Sequence, residues 1–281
     1  MTDPSTMEFL RISTNDIGAK KNTIPIVALT AYTTPMAQRL DQHVDLLLVG
    51  DSLAMVIYGH DTTVGISLET MIAHGQAVMR GSKRACVIID LPAGSYENSP
   101  DQAVQSARKV IDETGAQGIK LEGGTAVAGQ IKAITNAGIP VLGHIGLLPQ
   151  KVTEAGGYKI QGRDDDAYQA IIEDAWAVVD AGAFAVVIEG TVEVLAREIT
   201  KTLPIPTIGI GASAACDGQV LVSDDMLGVF SDFTPKFVKR YSEIGQSIEQ
   251  AAINYADDVR TRQFPALAHT YPLETASRKA E

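Results

Sequence analysis

The sequence predicts an α/β chain folded as a (β/α)₈ TIM barrel with extra C-terminal helices, and three observations carry that expectation. Short apolar, β-branched runs such as Leu46-Leu47-Leu48-Val49, Cys86-Val87-Ile88-Ile89 and Ala185-Val186-Val187-Ile188 have the length and composition of buried parallel strands. These runs alternate with longer stretches of helical period, joined by short turns, which is the pattern of repeated βαβ units. The chain's 281 residues also suit one barrel, a fold that takes roughly 250 residues. A doubly wound open sheet is the competing architecture. No Gly-x-Gly-x-x-Gly follows the first strand, however, and Gly209-Ile210-Gly211 is too short and too late to act as a dinucleotide fingerprint.

Residues 24–32 read as the first strand, and residues 35–43 as a short helix with Pro35 near its first turn. The second strand, residues 46–49, leads through a Gly-containing loop to a helix over residues 67–80, where Leu68, Met71, Ile72, Gly75 and Val78 share a stripe. Residues 86–89 form the third strand. Ser99-Pro100-Asp101-Gln102 is a helix start, with Ser as cap and Pro in the first position, and that helix runs to Gly115. The fourth strand is Ile119-Lys120-Leu121-Glu122, followed by a helix over residues 127–136 that ends at Gly138. Residues 140–145 form the fifth strand, residues 164–181 a long amphipathic helix, and residues 185–189 the sixth strand. A helix over 192–202, a seventh strand at 206–210 and a weaker eighth at 220–223 complete a barrel core of about residues 24–230 within a single domain spanning 1–281. Residues 235–262 are a polar helical extension with Phe237, Tyr241, Ile244 and Ile248 on one side, expected to pack on the barrel exterior or on a neighbouring subunit. Residues 263–281 form a Pro- and His-containing tail expected to be poorly ordered.

Composition narrows the function classes. Hydrophobic residues at 45% and charged residues at 20% are ordinary globular values, ample for a core. A net charge of −11 argues against nucleic acid or an anionic membrane as main partner. A small anionic substrate remains compatible, because it would respond to local cations such as Lys120. Cys86 and Cys216 lie in apolar stretches and suggest no disulfide framework. Residues 1–21 lack the apolar core of a signal peptide. No apolar run approaches the roughly 20 residues that span a bilayer, so a cytoplasmic location is expected. Gly-x-Ser-x-Gly, a Cys–His nucleophile pattern and a Walker loop are all missing.

The chemistry-bearing residues collect at strand ends. Asp51 follows the second strand, Asp90 the third and Glu189 the sixth, while Lys120 and Glu122 share the fourth. In a barrel these carboxyl ends gather on one rim, where ligand sites are built. Lys120 and Glu122 are two apart and face the same way. Taken alone they could be an interior ion pair or part of a site. One lysine cannot neutralise four carboxylates, so the set points to a hard-cation site with an anionic ligand, and Mg²⁺ suits an all-oxygen shell completed by substrate and water. His144, between Gly143 and Ile145-Gly146 at the fifth strand end, reads equally as a core histidine or as a substrate hydrogen-bonding group. Ser52 alone is uninformative, since Ser commonly caps or turns. His60, His74 and Asp164-Asp165-Asp166 read as structural.

Ordered motifs then resemble the ketopantoate hydroxymethyltransferase family. They are Gly50-Asp51-Ser52, Gly59-His60-Asp61, Asp90-Leu91-Pro92, Lys120-Leu121-Glu122-Gly123-Gly124, Gly143-His144-Ile145-Gly146-Leu147-Leu148-Pro149-Gln150, Gly156-Gly157-Tyr158-Lys159-Ile160-Gln161-Gly162-Arg163 and Gly209-Ile210-Gly211-Ala212. The resemblance implies transfer of a hydroxymethyl group from 5,10-methylenetetrahydrofolate to 3-methyl-2-oxobutanoate, giving 2-dehydropantoate in pantothenate biosynthesis through a Mg²⁺-stabilised enolate. It further implies that Asp51 and Asp90 ligate Mg²⁺ and that Glu122 holds the metal's water shell. Ser52 and Lys120 would bind the 2-oxo acid's carboxylate, His144 would contact substrate and Glu189 would be the general base. Members of the family assemble as homo-oligomers, often decamers, and act on small molecules.

Three positions depart from the family pattern: Ala93-Gly94 where a bulky residue is common, Gly190-Thr191 where Cys-Val-Pro is common, and Ser213 in place of a glycine. They leave every implied catalytic group in place. Two other readings compete. One is a lyase of the phosphoenolpyruvate mutase and isocitrate lyase superfamily, whose Lys-Lys-Cys-Gly-His-type loop is missing here. The other is a non-catalytic scaffold, which has no reason to bury charge in a core.

Overall fold

A computed structural model describes residues 10–153, 156–230 and 234–271. Eight parallel strands close into a barrel in chain order, the last pairing with the first. The elements run α1 (Thr14–Gly18), β1 (Ile26–Thr30), α2 (Thr34–Leu40), β2 (Leu46–Val49), α3 (Leu53–Val56), α4 (Leu68–Gly81), β3 (Cys86–Asp90), α5 (Pro100–Thr114) and β4 (Gly118–Lys120). They continue with α6 (Ala128–Asn136), β5 (Val141–Gly146), α7 (Asp165–Asp180), β6 (Ala185–Glu189), α8 (Glu193–Thr202), β7 (Thr207–Ile210), β8 (Gly218–Leu221), α9 (Ser223–Leu227) and α10 (Ile244–Arg260). The expected α/β class and barrel are therefore the observed ones. Among the described residues, no helix is long and apolar enough to cross a membrane.

Local chemistry explains where the helices start. Ser67, Ser99 and Asp164 each take extended backbone and accept from the amide three residues on, satisfying a donor the first turn leaves orphaned. Gly115 ends α5 at φ 72°, a left-handed conformation that costs glycine nothing. Alternation along each strand sorts side chains into two cores. Ile26, Ala28, Leu46, Leu48, Cys86, Ile88, Leu142, Ala185, Val187, Ile208 and Val220 fill the barrel interior. Leu47, Val49, Val87, Ile89, Ile119, Leu121, Val141, Val186 and Ile188 face the helix layer. The short α1, absent from the sequence expectation, sends Ile17 into the interior set and leaves it fully buried.

Three expectations need correction. The eighth strand is Gly218–Leu221 rather than residues 220–223, because pairing with β1 starts at Ile26↔Gly218, and tertiary pairing overrides the poor strand propensity of Gly218 and Gln219. The helical extension starts at Ile244, not at residue 235. Before it, Phe237 sits against Gly211, whose added Cβ would lie 3.1 Å from the ring, so this stretch is committed to a tertiary contact. Within the expected tail, Leu267–His269 form a 3₁₀ turn and Phe264 stacks edge-on against Tyr255, while residues 272–281 lie outside those described. The chain divides into two compact units. The first, residues 1–223 with Pro235–Val238, holds the barrel; the second comprises residues 224–234 and 239–281 and contains α10, none of whose residues is buried.

Gly143 shows how tightly the helix layer grips the strand that presents His144. A Cβ there would fall 2.4 Å from Val178 Cγ1 of α7. Val178 is branched and buried, so it has no free end to swing away. Gly143→Ala is expected to lower stability by about 1–3 kcal/mol through overpacking, read as a drop in thermal midpoint. An unchanged midpoint would show that α7 yields freely.

Candidate active site

The inward register of the interior core continues upward into charge. Asp90 is the next inward position on β3 after Ile88, and it is directly opposite Lys120 of β4. His144 follows Leu142 on β5, and Glu189 follows Val187 on β6. Glu122 lies two residues past Lys120, where Gly123 N donates to His144 O at 2.8 Å and folds the chain inward. Asp51, Asp90, Lys120, Glu122 and His144 are all buried, while Glu189 is partly open.

The barrel brings Asp51 and Asp90 together. Asp51 N donates to Asp90 Oδ2 at 3.1 Å, and Lys120 Nζ contacts Asp90 Oδ1 at 2.5 Å. Gly50 permits this approach, since its Cβ would meet Ser52 Oγ at 2.8 Å and Asp90 Oδ2 at 3.5 Å. Ser52 Oγ lies 2.8 Å from the Tyr32 hydroxyl at the same rim. Glu122 and Glu189 flank His144: Nδ1 is 3.6 Å from Glu122 Oε1, and Nε2 is 3.3 Å from Glu189 Oε2. Neither buried ring nitrogen has a hydrogen-bond partner among the described residues.

Two functional residues were not singled out from sequence. Gln150 Nε2 donates to Asp51 Oδ2 at 2.8 Å and to Leu91 O at 3.0 Å, while its backbone N donates to Glu122 Oε2 at 3.0 Å. Tyr96 hydroxyl donates to Gln150 Oε1 at 2.7 Å and accepts from Glu122 N at 3.3 Å. One amide and one phenol thus fix two carboxylates from separate strands. Gln150 closes a motif whose signal was family identity, and a lone buried tyrosine in a loop gives no pattern to detect.

The three departures each have a structural setting. The turn around Ala93-Gly94 is pinned by Gly94 N donating to the Glu97 carboxylate and by Ser95 Oγ donating to Pro92 O at 2.6 Å, with Tyr96 filling the wall. Gly190 adopts φ 55°, the left-handed region, with Leu147 Cβ 3.0 Å from where its own Cβ would stand. Ser213 Oγ donates to Glu193 Oε1 at 2.7 Å and receives Ala215 N.

Electrostatics follow from burial. Desolvation, then the Asp90 charge, pushes Asp51 up to about 7 despite Lys120 and Gln150. Burial is also the main cause that lifts Glu122 well above the usual carboxylate range. Lys120 is held above its ordinary value because the Asp90, Glu122 and Asp51 charges outweigh desolvation. His144 is held below its ordinary value by burial and by the Lys120 charge, against the nearby Glu189 carboxylate.

The donor set fits a divalent cation. Asp51 and Asp90 are adjacent buried carboxylates beside a single ammonium, and Asp51 resists ionisation because it is buried and then because the Asp90 charge is close. Among the described residues, no three His, Cys, Asp or Glu side chains converge to hold a metal, so Asp51, Asp90 and Glu122 are not gathered as a three-carboxylate cluster. An ion such as Mg²⁺ commonly takes one or two carboxylates plus water and substrate oxygens.

A model of ketopantoate hydroxymethyltransferases matches residues 11–267. A 3-methyl-2-oxobutanoate hydroxymethyltransferase of Mesorhizobium japonicum is 60% identical over 268 residues, covering 95% of this chain and 94% of its own. One from Sinorhizobium fredii is 58% identical, covering 94% and 97%. Among solved structures, a phosphonopyruvate hydrolase (TM-score 0.59, 14% identity, 94% of this chain and 92% of its own) has a similar fold. So does 2,3-dimethylmalate lyase of the phosphoenolpyruvate mutase and isocitrate lyase superfamily (TM-score 0.58, 15% identity, 95% and 92%).

A pH prediction follows from Asp51. Its folded value lies above its unfolded one, so its contribution is fully present at acid pH and is lost as pH rises toward about 7. In chelator, the unfolding free energy of the parent should fall relative to Asp51→Asn between pH 4 and 7, by up to about 1.4 kcal/mol per pH unit. Parallel profiles for the two proteins would remove the strain assigned to this carboxylate.

Proposed function

The chain belongs to the ketopantoate hydroxymethyltransferase family and catalyses hydroxymethyl transfer to 3-methyl-2-oxobutanoate in pantothenate synthesis, and from that premise we propose that the barrel rim carries the reaction. The observation that supports this reading most is the convergence of Asp51, Asp90, Lys120, Glu122, His144 and Glu189 on the inward face of one rim. The one-carbon donor in this reading is 5,10-methylenetetrahydrofolate, and the assembly is a cytoplasmic homo-oligomer, as in the family.

Asp51 and Asp90 would hold Mg²⁺, with Glu122 behind them. Bound there, the cation supplies positive charge that stabilises the enolate oxygen as it develops. Ser52 and Lys120 take the carboxylate of the 2-oxo acid, placing its C3 along the rim toward β6. Glu189 is the most exposed of the rim carboxylates, so it meets substrate rather than core. Its carboxylate accepts the C3 proton, and C3 then bonds the transferred carbon. Water supplies the new hydroxyl, and the carrier leaves as tetrahydrofolate. His144, 3.3 Å from Glu189 Oε2, orients the base and contacts substrate. Gln150 and Tyr96 keep Asp51 and Glu122 in place while charge moves.

Glu189→Gln keeps size and packing but removes the proton acceptor. Deuterium exchange at C3 of 3-methyl-2-oxobutanoate, followed by NMR, should slow by roughly 10²–10⁴-fold, with substrate affinity retained. Exchange near the parent rate would move the base role elsewhere on the rim. Asp90→Ala should abolish divalent-cation-dependent turnover and leave the far-ultraviolet circular dichroism of the parent. Full turnover in that variant, or in the parent with excess chelator, contradicts the metal assignment.

A further inference from the structure

Of the two residues assigned to the substrate carboxylate, Lys120 is fixed by strand pairing and Ser52 is not. Ser52 lies past the end of β2 and caps α3 without a side-chain bond to that helix, so its hydroxyl is oriented from elsewhere. The Tyr32 hydroxyl stands 2.8 Å from Ser52 Oγ. Tyr32 is buried in the turn between β1 and α2. With Tyr32 as donor, Ser52 keeps its own hydrogen for an anionic oxygen.

Helix α4 holds that turn from behind. His74 Nδ1 lies 2.7 Å from Tyr32 O, and a carbonyl oxygen only accepts, so Nδ1 carries the proton. In the neutral ring Nε2 is then the acceptor for the Tyr58 hydroxyl at 3.0 Å. Tyr58 stands two residues past α3, so one imidazole ties the turn that carries Tyr32 to the segment that follows Ser52. The same face of α4 grips the turn twice more. Thr34 Oγ1 donates to Ala77 O at 2.7 Å, and Gly81 lets Thr34 O lie against the helix, since an added Cβ would collide with it. The base is held by a separate set of bonds. Gln161 N donates to Gly190 O at 2.8 Å and Val192 N donates to Gln161 O at 3.1 Å, in the turn directly after Glu189.

We propose that His74 is a positioning residue for the carboxylate of the 2-oxo acid, acting through Tyr32 on Ser52. The imidazole fixes the backbone of Tyr32, the phenol fixes the Ser52 hydroxyl, and that hydroxyl meets the substrate. The substrate carboxylate is unchanged between ground state and enolate, so a looser Ser52 weakens binding without slowing the proton transfer. Glu189 is anchored through Gln161 and Gly190, outside this chain of contacts, and keeps its place when His74 is altered. The proposal rests on the hydroxymethyl transfer reading and extends its carboxylate site by two residues, His74 and Tyr32.

Kinetics of C3 exchange and calorimetry with 3-methyl-2-oxobutanoate in Mg²⁺ read the effect in the full chain. His74→Ala should raise KM and Kd for the 2-oxo acid by about three- to tenfold, the loss of one neutral hydrogen bond. The kcat for exchange should stay within about twofold of the parent. His74→Asn returns an amide N–H near the Nδ1 position and should recover most of the lost affinity. Tyr32→Phe removes the hydroxyl that faces Ser52 and should reproduce the rise in KM, which keeps the test open if His74→Ala folds poorly. In a Ser52→Ala background, His74→Ala should add less than about twofold, because both changes act on one contact. Effects that multiply in that background would overturn the proposal and leave His74 as helix packing. So would a fall in kcat with parent-like KM in both His74→Ala and Tyr32→Phe. A parent without C3 exchange, or Ser52→Ala with parent-like KM, would overturn the carboxylate site itself and the proposal with it.

Discussion

The top layer of the barrel depends on one buried contact, between Lys120 Nζ and Asp90 Oδ1. The strands below are built from Ile, Leu, Val, Ala and Cys, an interior in which an isolated charge is prohibitively unfavourable. Because β3 and β4 pair with Asp90 opposite Lys120, the two charges enter that interior already matched. A buried pair of this kind gives little net stability, and removing one partner leaves a charge with no water to turn to. The surrounding carboxylates hold Lys120 firmly protonated, while burial pushes Asp51 and Glu122 toward their neutral forms in spite of that ammonium.

The hydrogen bonds around that contact turn a charge imbalance into a shaped site. Gln150 spends both amide hydrogens, its carbonyl and its backbone N–H on four different partners. Side chains with no remaining freedom hold their neighbours to a single geometry, which is what preorganised electrostatic stabilisation requires. His144 has the opposite condition. Its two ring nitrogens face carboxylates at 3.6 and 3.3 Å without a partner of normal geometry among the described residues.

Much of this was legible in the chain. Strand-end positions of Asp51, Asp90, Lys120, Glu122 and Glu189 follow from apolar runs that stop at charge, and the period of two explains why Lys120 and Glu122 share a face. Capping residues at Ser67, Ser99 and Asp164 were equally readable, because their chemistry acts within four residues. What escaped was non-local. Tyr96 and Gln150 are separated by 54 positions and meet only because the barrel closes. The start of β8 at Gly218 is imposed by pairing with Ile26, and the non-helical stretch around Phe237 by a contact with Gly211. Local propensity cannot register any of these.

The pairing of Gln161 with the turn after Glu189 bears on how this rim can change over generations. Two backbone bonds make the 158–163 segment and Gly190-Thr191 one mechanical body, and Gly190 depends on a left-handed conformation backed by Leu147. Alterations in one half therefore shift the other, and their effects combine non-additively, as they do for residues sharing a backbone displacement. The sequence at 190–191 and the sequence at 158–163 are inherited best as a unit. A graft that exchanges either one with a relative carrying Cys-Val-Pro after its glutamate inherits a mismatch unless the other half comes with it.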